Sequence, residues 1–242
     1  MSTRSASYFF LTPPARLRAR LTGRRVVGLE RRGKYLLALL DDGAQLLMHL
    51  GMTGQIGDAP EDRHTHLRLS FDDAGPEVRF HDVRKFGKVQ LLAAGRVSAR
   101  LDRLGPDALT ASGRTLFLAT RGRRAAIKTV LLDQAVVAGI GNIYADEALF
   151  DARIRPGRRA ARVSADECRR LAAAVRRILR AGIRAGGSTI DDYRKPDGSA
   201  GAYQENHRVY GRTGEPCQRC RTAIRRLVIG QRSSHYCPHC QH

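Results

Sequence analysis

Four of the five cysteines lie in one stretch, Cys217-Gln218-Arg219-Cys220 and, sixteen residues further on, Cys237-Pro238-His239-Cys240. Paired C-x2-C motifs at this separation match a four-thiolate zinc site. Two tight turns supply two sulfurs each to the tetrahedron that zinc accepts, and four thiolates leave no position for a reacting water. The implied ion is therefore one structural Zn2+, holding a β-hairpin too short to fold alone. Two disulfides are the competing arrangement, and they fit poorly with a chain that shows no secretory segment. Arg219, Arg221, Arg225, Arg226 and Arg232 lie between the cysteines with no acidic residue among them. Such a cationic tip is complementary to a phosphate backbone.

A second stretch with chemical potential is Gly139-Ile140-Gly141-Asn142, set between two helical segments, 125–134 and 144–152. Glycines let a backbone come close to a ligand, and the N–H groups at a helix start face an anion. Asn142 either caps the second helix, offers its amide to a phosphate, or does both.

The elements that must position these residues fall into three parts. Strand-and-turn patterning runs from Val26 to Leu92: Val26–Glu30, Tyr35–Leu40, Gln45–His49, Leu67–Phe71, Val78–His81 and Val89–Leu92 read as strands. Turns are expected at Asp41-Asp42-Gly43 and Asp72-Asp73-Ala74-Gly75. Many short strands at close spacing indicate a sandwich or barrel. A short helix, Ala15 to Leu21, follows Pro13-Pro14, and residues 93–115 read as connecting sequence. Helical patterning then takes over. Ser164-Ala165-Asp166-Glu167 is a capping box, followed by an apolar stripe of Leu171, Val175, Ile178, Leu179 and Ile183 and closed by Gly186-Gly187. Ser188 to Asp191 is expected to open another short helix. The expected fold class is α+β, with a β-sandwich domain over 1–112, a helical domain over 113–206 and the zinc hairpin over 207–242.

The chain has 242 residues and a formal net charge of +20, from 43 basic and 23 acidic residues, with a pI near 11.0. With the zinc tip, this balance indicates a polyanion binder. No apolar run approaches membrane-spanning length. A reducing, cytoplasmic location is expected, with Cys168 a small core residue on a helix.

Five blocks together resemble the formamidopyrimidine-DNA glycosylase (Fpg/Nei) family, whose helical domain is a helix–two-turn–helix. They are Arg31-Arg32-Gly33-Lys34-Tyr35-Leu36-Leu37, His49-Leu50-Gly51-Met52-Thr53-Gly54, Asp82-Val83-Arg84-Lys85-Phe86-Gly87, Gly139 to Ala145, and the four-cysteine finger. They stand in the family's order over about Pro13 to His242. The resemblance implies base excision repair on duplex DNA, by a monomer associated with the nucleoid. It also implies roles for the matched positions. Met52, Arg84 and Phe86 fill the void left when a base leaves the stack. His49, His64, Lys128, Asn142 and Arg232 contact phosphates, and Arg232 also assists strand cleavage. Lys34 assists β-elimination at an abasic site. By residue type alone, Met52 and Phe86 read as core and Lys34 as a solvated charge.

The opening residues depart from the pattern. Family members begin Met-Pro-Glu, where the proline amine attacks the sugar and the glutamate handles protons. This chain begins Met1-Ser2-Thr3-Arg4, and its first carboxylate is Glu30. The expectation is a protein that recognises damaged, abasic or distorted DNA without the family's usual catalysis. The alternatives are a glycosylase/AP lyase using a substitute amine such as Lys34, a start lying further upstream, and, from another class, a zinc-ribbon RNA-binding protein. Thr129 and Val83 stand where the family usually has proline, and the loop from Asp197 to Tyr203 lacks its usual lysine.

Overall fold

The computed structural model describes residues 2–3, 8–73, 75–190, 193–195 and 197–242. The chain divides into two compact units, Met1–Asp102 with Gly186–Ala202, and Arg103–Ala185 with Tyr203–His242.

The first unit contains β1 (Ser2–Thr3), α1 (Pro14–Leu21), β2 (Val26–Arg32), β3 (Tyr35–Leu40), β4 (Gln45–His49), β5 (Gly54–Gly57), β6 (Thr65–Leu69), β7 (Val78–Asp82), β8 (Lys88–Leu92) and α2 (Ala99–Asp102). The strands form two four-stranded antiparallel sheets, in the orders β1-β6-β7-β5 and β2-β3-β4-β8. Leu46, Met48 and Val89 of one sheet meet Leu67 and Phe80 of the other in a shared core, so the sheets make a sandwich. Phe9 fills its centre, with ring centroids 4.9 Å from both Phe10 and Phe80. Pro14 starts α1 where a missing N–H costs nothing, and Leu17 anchors the helix to this core. β2 is an edge strand, and Val27 and Leu29 on it are 60% and 69% exposed.

Some boundaries differ from the sequence pattern. β2 continues to Arg32 because it pairs with β3 through Arg32↔Tyr35. β6 begins at Thr65, opposite His81, and ends at Leu69, leaving Phe71 exposed. β5 has no signal in the sequence: Gly-Gln-Ile-Gly has little intrinsic strand preference, and pairing with β7 makes it a strand. Ser188–Ile190 is not helical, because the chain passes through two left-handed glycines, Gly186 and Gly187, and does not turn again. Asp191 and Ala74, named in sequence-based expectations, lie outside the described residues.

The second unit contains α3 (Gly113–Thr120), α4 (Ile127–Leu132), α5 (Asn142–Asp151), α6 (Ala165–Arg184), β9 (Arg225–Ile229) and β10 (Arg232–Tyr236). α2 and the first residues of α3 fall in the stretch 93–115 that reads in sequence as connection; α3 is started by the Ser112 hydroxyl accepting from Thr115 N–H. α6 has the expected capping box: Ser164 Oγ accepts from Glu167 N–H, and the Glu167 carboxylate accepts from Ser164 N–H. Its stripe buries Leu171, Val175 and Ile178 in one core with Leu116 of α3 and Ala145 and Leu149 of α5. Ile183, expected on that stripe, is exposed. β9 and β10 pair with Arg232↔Ile229 around Gly230-Gln231, both at positive φ, the turn that matches strand twist. The fold class is α+β, and among the described residues no helix is long and apolar enough to cross a membrane.

Candidate nucleic-acid interface

The sulfurs of Cys217, Cys220, Cys237 and Cys240 all lie within 4.8 Å of one another. Cys217–Cys240 and Cys220–Cys237 are separated by 4.0 and 3.5 Å. A tetrahedron of thiolates about 2.3 Å from zinc has edges of about 3.8 Å, so the four sulfurs fit one structural zinc. Backbone N–H groups of Arg219 and Cys240 donate to the Cys217 and Cys237 sulfurs. Behind the sulfurs, Phe150 of α5 packs with Val209 and Ile224, fixing the finger to the helical part of its own unit.

In the first unit the antiparallel register gathers residues far apart in sequence at one end of the sandwich. Tyr35 opens β3 beside His49, which closes β4, and His49 pairs in turn with Lys88 at the start of β8. In the other sheet Gly54, at the start of β5, pairs with Asp82 at the end of β7. Two corner loops cross between the sheets here, Leu50–Thr53 and Val83–Gly87. They carry Met52, Arg84 and Phe86, all exposed; Met52 and Phe86 are 59% and 46% exposed. Exposed apolar side chains on tight corners are a feature of insertion surfaces rather than of cores.

The corners are held rigidly. Gly51 sits at φ +67, and a Cβ there would meet the Phe86 carbonyl carbon at 2.7 Å, so only glycine lets the loops touch. Asp82, fully buried, accepts from Thr53 Oγ1–H and, at 2.7 Å, from Gly87 N–H. Around them lie the other expected residues of this unit. His49 Nδ1 accepts from Gly51 N–H at 3.1 Å, which places the ring proton on Nε2. Burial lowers the His49 pKa, and nearby Lys34, Lys88 and Arg100 lower it further. It is a neutral donor at neutral pH, suited to a phosphate oxygen. His64 precedes β6, its carbonyl accepting from Asp82 N–H, and Arg63 Nε donates to its ring at 3.0 Å. Lys34 is exposed at the two-residue turn between β2 and β3. It lacks the enclosure that the substitute-amine alternative calls for.

In the second unit Lys128, Asn142 and Arg232 converge on one residue, Ser233. The Ser233 carbonyl accepts from Lys128 Nζ at 2.7 Å and from Asn142 Nδ2 at 3.1 Å, and Arg232 is its chain neighbour. Lys128 is fully buried, 2.6 Å from Asp146 Oδ1, and also donates to Ser234 Oγ. Burial pushes its ammonium pKa down, and Asp146 counters this. This corrects the expectation of a phosphate contact: the Lys128 charge is enclosed and spent on Asp146 and the finger backbone. Asn142 is likewise corrected as a cap. Gly141 is the N-cap of α5, and the Asn142 amide reaches the finger instead. The turn before it is shaped by Gly139 at φ +112 and by Gln134, which accepts from Gly139 N–H and donates to Ile140 O. Arg232 is exposed at the hairpin tip. Asp82 and Ser233 escape a reading of the sequence because neither residue type nor spacing sets them apart; only pairing partners reveal them.

Comparison with known proteins gives matches along nearly the whole chain. The formamidopyrimidine-DNA glycosylase N-terminal domain matches residues 2–89. The H2TH domain of formamidopyrimidine-DNA glycosylase matches 104–194, and a zinc finger found in FPG and IleRS matches 214–242. The formamidopyrimidine-DNA glycosylase of Solibacter usitatus is 42% identical over 229 residues, covering 94% of this chain and 85% of that protein. Its counterpart in Roseiflexus sp. is 48% identical over 227 residues, covering 91% and 83%. Among solved structures, the MutM (FPG) protein from Thermus thermophilus superposes with a TM-score of 0.88 at 40% identity, covering 99% of this chain and 89% of that one. Lactococcus lactis Fpg in complex with DNA containing an abasic site superposes with a TM-score of 0.89 at 34% identity, covering 99% and 91%.

Proposed function

The chain belongs to the formamidopyrimidine-DNA glycosylase family, and from that premise we propose that it grips duplex DNA at a damaged, abasic or distorted position and fills the opened stack. The observation that carries this reading is the exposed set Met52, Arg84 and Phe86 on two corner loops tied to each other. In this reading the apolar pair replaces a departed base, and Arg84 faces the orphaned partner. The Nε2–H of His49, His64, the start of α5 with Asn142, and Arg232 at the zinc-held tip take phosphates. Lys128 acts behind them, by fixing the finger backbone. Lactococcus lactis Fpg has been solved with DNA containing Fapy-dG and with DNA containing an abasic site, which supports damaged DNA as the ligand.

The 242-residue polypeptide is proposed to work as a monomer, in the cytoplasm, by binding rather than by the family's usual chemistry. Supporting binding over lyase chemistry through a substitute amine, Lys34 is exposed at the β2–β3 turn rather than enclosed. The test is equilibrium binding to matched duplexes with and without an abasic site, competed by structured RNA, followed by borohydride treatment. The expected result is a preference for the abasic duplex of roughly tenfold or more, about 1.4 kcal/mol, with no covalent adduct. Equal affinity for both duplexes, or RNA competing as well as DNA, overturns the binding proposal. An adduct that Lys34→Ala abolishes replaces silent binding with lyase activity through Lys34.

A further inference from the structure

We infer that Asp82 is the positioning residue of the wedge formed by Met52, Arg84 and Phe86, holding all three side chains through one buried carboxylate; this rests on the stack-filling role proposed above. Asp82 is fully buried, and each of its polar atoms is engaged. Oδ1 accepts from Thr53 Oγ1–H and Oδ2 from Gly87 N–H at 2.7 Å. Its carbonyl oxygen lies 2.9 Å from His66 Nε2, and its N–H donates to His64 O at 3.0 Å. Thr53 Oγ1 in turn accepts from Arg84 N–H at 3.3 Å.

The spacing gives these bonds their meaning. Thr53 follows Met52, and Gly87 follows Phe86. Arg84 is reached directly through its own N–H. Every wedge residue is thus at most one peptide unit from an atom bonded to Asp82, or to the hydroxyl that Asp82 orients. A buried carboxylate is costly unless its oxygens are satisfied. Here the satisfying groups are the two corners that must not move independently. Preorganised side chains do not have to be ordered when they enter the duplex.

A purely structural role would make Asp82 matter for folding alone, so the test needs a readout that folding does not move. That readout is the ratio of affinities for abasic and intact duplex, together with fluorescence of a 2-aminopurine opposite the abasic site, in the full zinc-loaded chain. Thr53→Val keeps the side-chain shape and removes the hydroxyl, Thr53→Ser keeps the hydroxyl, and Asp82→Asn removes the charge. Thr53→Val and Asp82→Asn should each lose about tenfold of the abasic preference, the equivalent of one hydrogen bond to a charged group. They should also lose the 2-aminopurine change, while intact-duplex affinity stays within about twofold. Thr53→Ser should behave as the unmodified chain. If Thr53→Val keeps the full preference and fluorescence change, the positioning role is wrong, whatever the melting temperatures. If Asp82→Asn does not fold, the Thr53 pair decides alone. If the unmodified chain shows no abasic preference, the wedge reading itself fails, and this inference with it.

Discussion

Lys128 and Met52 reverse what their residue types suggest: the charged side chain is enclosed and the apolar one is exposed. For Met52 the structure gives a direct experiment. Met52→Ala or Arg84→Ala should lower affinity for an abasic duplex severalfold more than affinity for an intact one, because wedge contacts form only where the stack is open. Fluorescence anisotropy on the two duplexes measures this, and equal losses would refute the wedge. For Lys128, Lys128→Met removes one partner of a buried pair and leaves the Asp146 charge enclosed, a change worth about 3–5 kcal/mol. Chemical denaturation should show a loss of that order, with a double variant at Asp146 recovering part of it. His207 gives a pH signature. It is buried against Tyr203 and Tyr210, and burial lowers its pKa to about 4. The unfolded chain takes up this proton near the ordinary value of about 6.5 and the folded chain only near 4, so protons favour unfolding between them. Stability should therefore fall from about pH 6.5 to 4, by on the order of 3 kcal/mol, and the difference in melting temperature from His207→Phe should shrink across that window. At this scale the sequence is informative about Met52, Arg84 and Phe86, because two of the five family blocks carry them. It is silent on Asp82 and Ser233, whose importance lies in what they bond to.

Among the elements, those with local signatures are legible. The capping box of α6, the C-x2-C knuckles and the Asp41-Asp42-Gly43 turn each declare themselves within a few residues. β5, α2 and α3 do not, because tertiary pairing and packing, not propensity, decide them. The finger hairpin and α5 form one connected piece. Phe150 packs behind the sulfurs, while Lys128 and Asn142 end on the Ser233 carbonyl. Removing zinc with a chelator should therefore expose more than the hairpin. Hydrogen exchange should speed up at β9, β10 and the Gly139–Asn142 turn, while β3 and β4 keep their protection. Exchange confined to 214–242 would show that the joint at Ser233 transmits nothing.

For the whole chain, charge is the most legible property and the least specific. A net charge of +20 fits any polyanion; the match to relatives solved with DNA narrows it to DNA. Binding should weaken steeply with salt, and Arg232→Ala should make the plot of log affinity against log salt shallower by about 0.9 if that side chain neutralises one phosphate. An unchanged slope would remove Arg232 from the phosphate set. The sandwich also carries a liability in β2. Its outer edge offers unpaired backbone groups beside the protruding Val27 and Leu29, the ingredients of strand-to-strand stacking between molecules. Arg24, Arg25, Arg31 and Arg32 flank that rim, Arg24 pairing with Asp41 and Asp42, and the remaining positive charge should hold neighbouring copies apart. Concentrated stocks should accordingly cloud as added electrolyte mutes the repulsion, and clear again on dilution into low-salt buffer.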